Sequence, residues 1–193
     1  MKVLAQGAEA KVYLEDNKII KERIEKKYRI KELDEFLRKT RTKKEIKLLS
    51  DLRRHGLNVP RVIDYSKFKI VMEFIEGKKL KDVLNTKNYK IFSREIGRSV
   101  AKMHKADIVH GDLTTANIIV RDNELYFIDF GLGTETKNLE QKAADLLTLY
   151  QNFKSVHPKL DCWKYFLEGY KNKETKKILF VFEKMLKRRR YLK

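Results

Sequence analysis

The hydrophobic spacing of this chain changes at Gly77, and that change limits the folds open to it. Before Gly77 the apolar residues come in short β-friendly runs. These are Val12 and Leu14, then Ile19-Ile20, then Arg61-Val-Ile-Asp-Tyr65 and Phe68-Lys-Ile-Val-Met-Glu-Phe-Ile75. Glu15-Asp16-Asn17 breaks the first of them as a hairpin turn would. Residues 21–47 carry 12 basic and 6 acidic side chains. Even so, Leu33, Phe36 and Leu37, then Ile46, Leu48 and Leu49, keep a helical spacing that Gly56 and Pro60 end. After Gly77, Phe92, Ile96, Val100 and Met103 recur every three or four residues, as on one face of a long helix. Ile118-Ile-Val120 and Leu125-Tyr-Phe-Ile128 flank Asp122-Asn123 as a second hairpin, and from about Leu139 the pattern is helical. Strands first and helices later predict an α+β chain of two lobes in one domain. The first lobe covers 1–76 and the second 77–183, and a basic tail covers 184–193.

Composition narrows the class. At 193 residues and 42% hydrophobic, the chain can bury a core and is not expected to be disordered. Its longest apolar run, Ile178-Leu-Phe-Val-Phe182, is far too short to span a bilayer, so no membrane partner is expected. The first residues lack the apolar stretch of a signal peptide. The single cysteine, Cys162, can form neither an internal disulfide nor a zinc site alone, and together these features point to the cytoplasm. The net charge of +18 favours an anionic partner: nucleic acid, nucleotide or an acidic protein.

The strongest chemical signal is His110-Gly-Asp-Leu-Thr-Thr-Ala-Asn117 followed by Asp129-Phe-Gly131. Asp112 and Asn117 are five apart in a loop before a strand, and Asp129 follows twelve residues later at the end of the next strand. Two carboxylates and an amide at such positions can hold Mg²⁺ against a triphosphate, and Asp112 can orient or deprotonate an acceptor hydroxyl. Read singly, the same residues would cap two ordinary turns. Read together, their spacing matches the protein-kinase pattern. That pattern asks for a strand lysine on the phosphates, which Lys21 supplies, and a helix glutamate to fix it. Glu45 is chosen over Glu32 and Glu35 because Ile46, Leu48 and Leu49 anchor its helix. Of the usual glycine-rich loop only Gly7 survives, with the small Ala8 and Ala10 ahead of Val12. Glu9 is odd beside phosphate and is read as reaching Mg²⁺ or a partner. Met72 would line the back of a base pocket, and the backbone of Glu73 and Ile75 would meet the adenine edge. Asp145 would hold the backbone near His110. His55, His104 and His157 have no clustered partners in sequence, and no chemistry is assigned to them.

The C-terminal stretch from 171 to 193 has 10 basic residues against 2 acidic, a composition that binds phosphate backbones by counterion release. Lys187, Arg188, Arg189 and Arg190 are the contact candidates there, and Tyr191 could stack on a base.

The assembled set resembles the protein-kinase-like superfamily over nearly the whole chain. More narrowly, it is similar to the small kinase–ATPase subunit family of the KEOPS (EKC) complex. The residues that carry this are Gln6-Gly-Ala-Glu-Ala10, Ile20-Lys-Glu-Arg-Ile24 with Lys27-Tyr-Arg29, Glu32-Leu-Asp34, His110–Asn117 and Ile128-Asp-Phe-Gly131. The resemblance implies a reduced bilobal fold with ATP and Mg²⁺ between the lobes. It implies that Gln6, Gly7, Ala8 and Val12 cover the nucleotide, Lys21 meets its phosphates and Glu45 pairs Lys21. Asp112 would be the catalytic base, with Asn117 and Asp129 as metal ligands. Family members are described as atypical serine/threonine kinases acting mainly as an ATPase that supports threonylcarbamoylation of tRNA. The implied partners are the threonylcarbamoyl-transferase subunit, the other KEOPS subunits and tRNA. The family also occurs fused to that transferase subunit, so the chain could be whole or part of a longer protein.

Departures from ordinary protein kinases bear on the acceptor. Only thirteen residues separate Gly131 from Asp145, leaving no room for an activation loop, and no Ala-Pro-Glu occurs. Gly111 stands where an arginine usually precedes the catalytic aspartate, and Thr114 where a lysine often follows it. These changes disfavour a protein substrate but not water. Three alternatives stay open: a genuine protein kinase of the RIO type, acting on itself or a partner; a small-molecule kinase; and a non-catalytic adaptor. The adaptor would need no complete set of Lys21, Asp112, Asn117 and Asp129.

Overall fold

A computed structural model describes residues 2–7 and 9–190, apart from the side chains of 189 and 190. Ala8 and Tyr191, and the side chains of Arg189 and Arg190, therefore lie outside the described residues.

The N-terminal lobe is an antiparallel sheet. Its strands are β1 (Lys2–Gln6), β2 (Ala10–Glu15), β3 (Lys18–Arg23), β4 (Val62–Tyr65) and β5 (Lys69–Glu73), in the order β1-β2-β3-β5-β4. Asp16 and Asn17, both at positive φ, make the β2–β3 turn, a conformation their short polar side chains tolerate. The register sets Val12 opposite Lys21 and Met72 opposite Ile19. Side chains alternate along a strand, so Val12, Ile19, Lys21, Arg23 and Met72 share one face of the sheet.

Helix α1 (Lys31–Arg54) covers all of the helix expected from the spacing and starts within the charged stretch. Its two halves dock differently. The second half buries Leu48, Leu49 and Leu52. The first half leaves Leu33 and Phe36 exposed and buries Asp34 instead. Asp34 accepts from Arg38 at 2.6 Å and lies 3.6 Å from Arg29, while the Arg38 guanidinium sits 3.9 Å from the Phe68 ring centre. Ion pairs and a cation–π contact take the place of an apolar seam there.

The second lobe runs β6 (Lys78–Lys79), α2 (Leu80–Val83), α3 (Tyr89–Lys105), β7 (Ile108–Val109), a 3₁₀ turn (Thr115–Asn117), β8 (Ile118–Arg121), β9 (Glu124–Phe127), β10 (Thr134–Glu135), α4 (Leu139–Val156), α5 (Cys162–Tyr170) and α6 (Lys176–Arg190). Phe92, Ile96, Val100 and Met103 of α3 are all buried, as their spacing predicts. The second hairpin turns at Asp122-Asn123, again at positive φ. Residues 184–190, read from sequence as part of a tail, continue α6. No described helix is long and apolar enough to cross a membrane.

One apolar cluster joins the lobes: Leu48, Leu49 and Leu52 of α1 share it with Phe130 and with residues of α3, α4 and α5. The α3–α5 seam is very close. A Cβ on Gly97 would strike the Phe166 carbonyl, and one on Gly169 the Arg94 carbonyl. Backbone cannot retreat as a side-chain tip can. We therefore expect Gly169→Ala to cost about 1–3 kcal/mol, measured by chemical denaturation; an unchanged midpoint would contradict this packing.

Candidate active site

The site is built from one strand, one helix and two loops. Lys21 reaches out from β3. Its Nζ donates to Glu45 Oε1 at 2.6 Å and to Asp129 Oδ1 at 2.7 Å. Glu45, on α1, is buried, and its other oxygen accepts from Arg23 at 2.7 Å. Of the rival glutamates, Glu35 pairs with Lys67 instead. Burial alone would lower the pKa of Lys21, but the charges of Glu45 and Asp129 outweigh it and leave it raised. Burial likewise works to raise Asp129, and the Lys21 charge overcomes that and holds the carboxyl below its usual range. Lys21 is a fixed cation at the junction of the lobes.

The loop bearing Asp112 is held from behind. Asp145 on α4 accepts the His110 N–H at 2.6 Å and the Gly111 N–H at 2.8 Å, one on each carboxylate oxygen. Gly111 has φ +81°, and a Cβ there would strike the Leu132 carbonyl. That excludes any arginine at this position, so the departure noted in sequence is forced by the backbone. The His110 ring donates from Nε2 to the Ile128 carbonyl at 3.1 Å and accepts the Asp112 N–H on Nδ1 at 3.3 Å. Burial lowers its pKa, so the ring is a neutral spacer packed 4.5 Å from Phe130. Asn117 turns its amide nitrogen to Asp112, 2.9 Å from both the backbone carbonyl and Oδ2. The carboxamide oxygen of Asn117 is left over as an acceptor.

The remaining expected residues fall as follows. Gln6 ends β1, and the N–H of Gly7, just after it, donates to the Ala10 carbonyl at 3.0 Å, closing the turn into β2. Met72 and Ile75 are buried. The Glu73 N–H is given to the Arg61 carbonyl at 2.9 Å. Glu9 ion-pairs with Arg41 and lies 3.8 Å from Arg29. Lys187 and Arg188 are exposed on α6.

Two contributors were missed in sequence. Arg23 lies two residues beyond Lys21, so the strand period would have put it on the same face. His104 was assigned no partner. Its Nδ1 accepts from the Tyr170 hydroxyl at 2.8 Å and its Nε2 faces Asp145 at 3.5 Å, so it backs the residue that grips the loop. Nothing local in sequence marks that link across 41 and 66 positions.

Among the described residues no group of three or more His, Cys, Asp or Glu is placed to hold a metal by itself. The oxygen donors of Asp129 and Asn117 suit Mg²⁺, which protein sites commonly bind through one or two such ligands plus substrate phosphates. Lysine, paired glutamate, loop aspartate, asparagine and a second aspartate make up the equipment of phosphoryl transfer.

Comparison with known proteins agrees. The RIO-domain family profile matches residues 8–149. The chain belongs to the RIO-domain family. The KEOPS complex subunit Bud32 of Pyrococcus abyssi is 42% identical over 186 residues, 88% of this chain and 82% of that protein. A Methanosphaera stadtmanae protein named "Probable bifunctional tRNA threonylcarbamoyladenosine biosynthesis protein" is 43% identical over 196 residues, 97% of this chain. This chain spans only 36% of that longer relative. Among solved structures, the Rio2 kinase–ADP/Mg²⁺–phosphoaspartate complex from Chaetomium thermophilum superposes with a TM-score of 0.68 at 16% identity, covering all of this chain and 72% of that one. That RIO domain fold accounts for the α+β, two-lobed architecture read from sequence.

Removing Glu45 would leave two buried cations facing each other. Glu45→Ala is expected to cost about 3–5 kcal/mol of stability in urea denaturation; a loss under about 1 kcal/mol would contradict the shared role of this carboxylate.

Proposed function

We propose that this RIO-domain chain binds ATP between its lobes and hydrolyses it as the kinase-like subunit of a KEOPS-type complex. In that complex it would support threonylcarbamoylation of adenosine in tRNA. The observation that carries the reading is the convergence of Glu45 and Asp129 on Lys21 beside the Asp112–Asn117 pair. The similarity to Bud32 over 82% of its length supports the assignment to that complex. The partners would be the threonylcarbamoyl-transferase subunit, the other KEOPS subunits and tRNA, all in the cytoplasm.

Gln6, Gly7 and Val12 would cover the nucleotide, with Met72 and Ile75 at the base. The Lys21 ammonium would meet phosphate oxygens and stay oriented by Glu45. Asp129 and the Asn117 oxygen would hold Mg²⁺, which when bound neutralises charge on the phosphates. Asp112, kept in place by the Asn117 amide, would align a water for in-line attack and take its proton.

A specific observation favours water over a protein hydroxyl as acceptor. After Gly131 the chain makes only short connections: Thr134 and Glu135 pair with Val109 and Ile108, and α4 begins at Leu139. The stretch between Gly131 and α4 is therefore too short to serve as an activation segment. A RIO-type protein kinase remains the rival reading, with the family match in its favour.

Asp129→Ala should reduce phosphate release from ATP to background. Release near the wild-type rate would contradict the metal-ligand assignment. Deleting residues 187–193 should weaken tRNA binding and flatten its salt dependence, because each phosphate contact contributes about 0.9 to the slope. Equal slopes would show that this segment is not a contact.

A further inference from the structure

A second site lies on the last helix, away from the cleft. A groove of about 510 Å³ opens where the 171–175 loop meets the first turns of α6. It is lined by Lys171, Lys173, Lys176, Leu179, Phe180 and Glu183. Phe180 is 57% exposed, whereas Phe182, two residues on, is buried against Trp163. The core therefore does not use the Phe180 ring. Lys184 holds its Nζ 4.3 Å from that ring's centre. Glu174, the other carboxylate of this stretch, is taken by Lys105 at 2.9 Å. Among the described residues, no carboxylate is within ion-pair distance of Lys171, Lys173, Lys176, Lys184, Lys187 or Arg188.

Lys176, Phe180, Lys184 and Lys187–Arg188 recur at helical spacing on one face, along about 18 Å of α6. An exposed aromatic ring among lysines, with Glu183 the single carboxylate in the groove's lining, suits a ligand that is flat and carries negative charge on both sides. A nucleotide in an unpaired RNA stretch has that form: the base offers a π-face to the ring and the flanking phosphates meet the lysines. An acidic peptide would answer the lysines but give the ring no flat partner.

We propose that this face of α6, with the 171–175 loop, binds an unpaired RNA segment by stacking one base on Phe180 and pairing its phosphates with Lys176 and Lys184. The proposal rests on the RNA-contact reading above and extends it from the C-terminal residues to a defined groove.

The test uses the full chain and two fluorescent probes, a short oligoadenylate and an RNA duplex of equal length, followed by anisotropy at several salt concentrations. Phe180→Ala should weaken oligoadenylate binding about five- to hundredfold, with the salt slope unchanged. Phe180→Tyr should restore it, and duplex binding should not change. Lys176→Ala with Lys184→Ala should lower the slope by about 0.7 per contact. Thermal unfolding at the wild-type midpoint, expected for an exposed ring, assigns each loss to the surface. Wild-type oligoadenylate affinity in Phe180→Ala overturns the proposal. So does intact RNA binding combined with lost capture of the purified transferase subunit, which would make the face a protein dock. If deleting 187–193 weakens binding and Phe180→Ala does not, the groove fails while the broader RNA reading stands. If neither variant matters, both fail.

Discussion

A buried ammonium between two carboxylates fixes the frame of this molecule. Lys21 comes from the sheet, Glu45 from the helix that crosses it, and Asp129 from the loop that leaves the second lobe. An ammonium withdrawn from water without partners costs several kcal/mol. Here Arg23 adds a second cation to Glu45, so two cations face two anions and the cluster is neutral. That balance makes the parts interdependent. Glu45 ties α1 to the sheet through both Lys21 and Arg23, and Asp129 ties the second lobe to the same ammonium. Asp129 itself takes φ +63°, an unfavourable conformation for most residues, which the ion pair with Lys21 helps to hold.

The loop bearing Asp112 depends on a different device. Asp145 grips two backbone amides, and the neutral His104 and Tyr170 stand behind it. Burial lowers the pKa of His104 and raises that of Tyr170, so neither brings charge near the carboxylate. The loop is thus positioned by helices of the second lobe and needs no phosphorylated segment to order it. The short connection from Gly131 to α4, tied down by two strand residues, is consistent with that economy.

Much of this was legible in the sequence where the signal is local. The Asp16-Asn17 and Asp122-Asn123 turns, the α3 stripe and the spacing of Asp112, Asn117 and Asp129 each depend on neighbours within a few residues. Lys21 and Glu45 could be paired because the kinase pattern supplied the long-range link and the apolar anchors told the glutamates apart. What was missed depends on distant partners. The pairing of Glu45 with Arg23 joins a helix to a strand, and His104 is met by a residue two helices away. Leu33 and Phe36 have helical spacing yet remain exposed, because Asp34, Arg38 and Phe68 fill the inward side with polar contacts. The helical state of 184–190 was hidden by its charge, which composition reads as a tail while Phe182, Met185 and Leu186 pack on the core.

The central claim is that the transferred phosphate goes to water. It is tested most directly by following γ-labelled ATP with Mg²⁺, with and without tRNA and the transferase subunit, using Asp112→Ala as the blank. Free phosphate and labelled protein are counted in the same tube. The account predicts mostly free phosphate, increased by the partner or by tRNA. Label accumulating stoichiometrically on one protein, with little free phosphate, would contradict it.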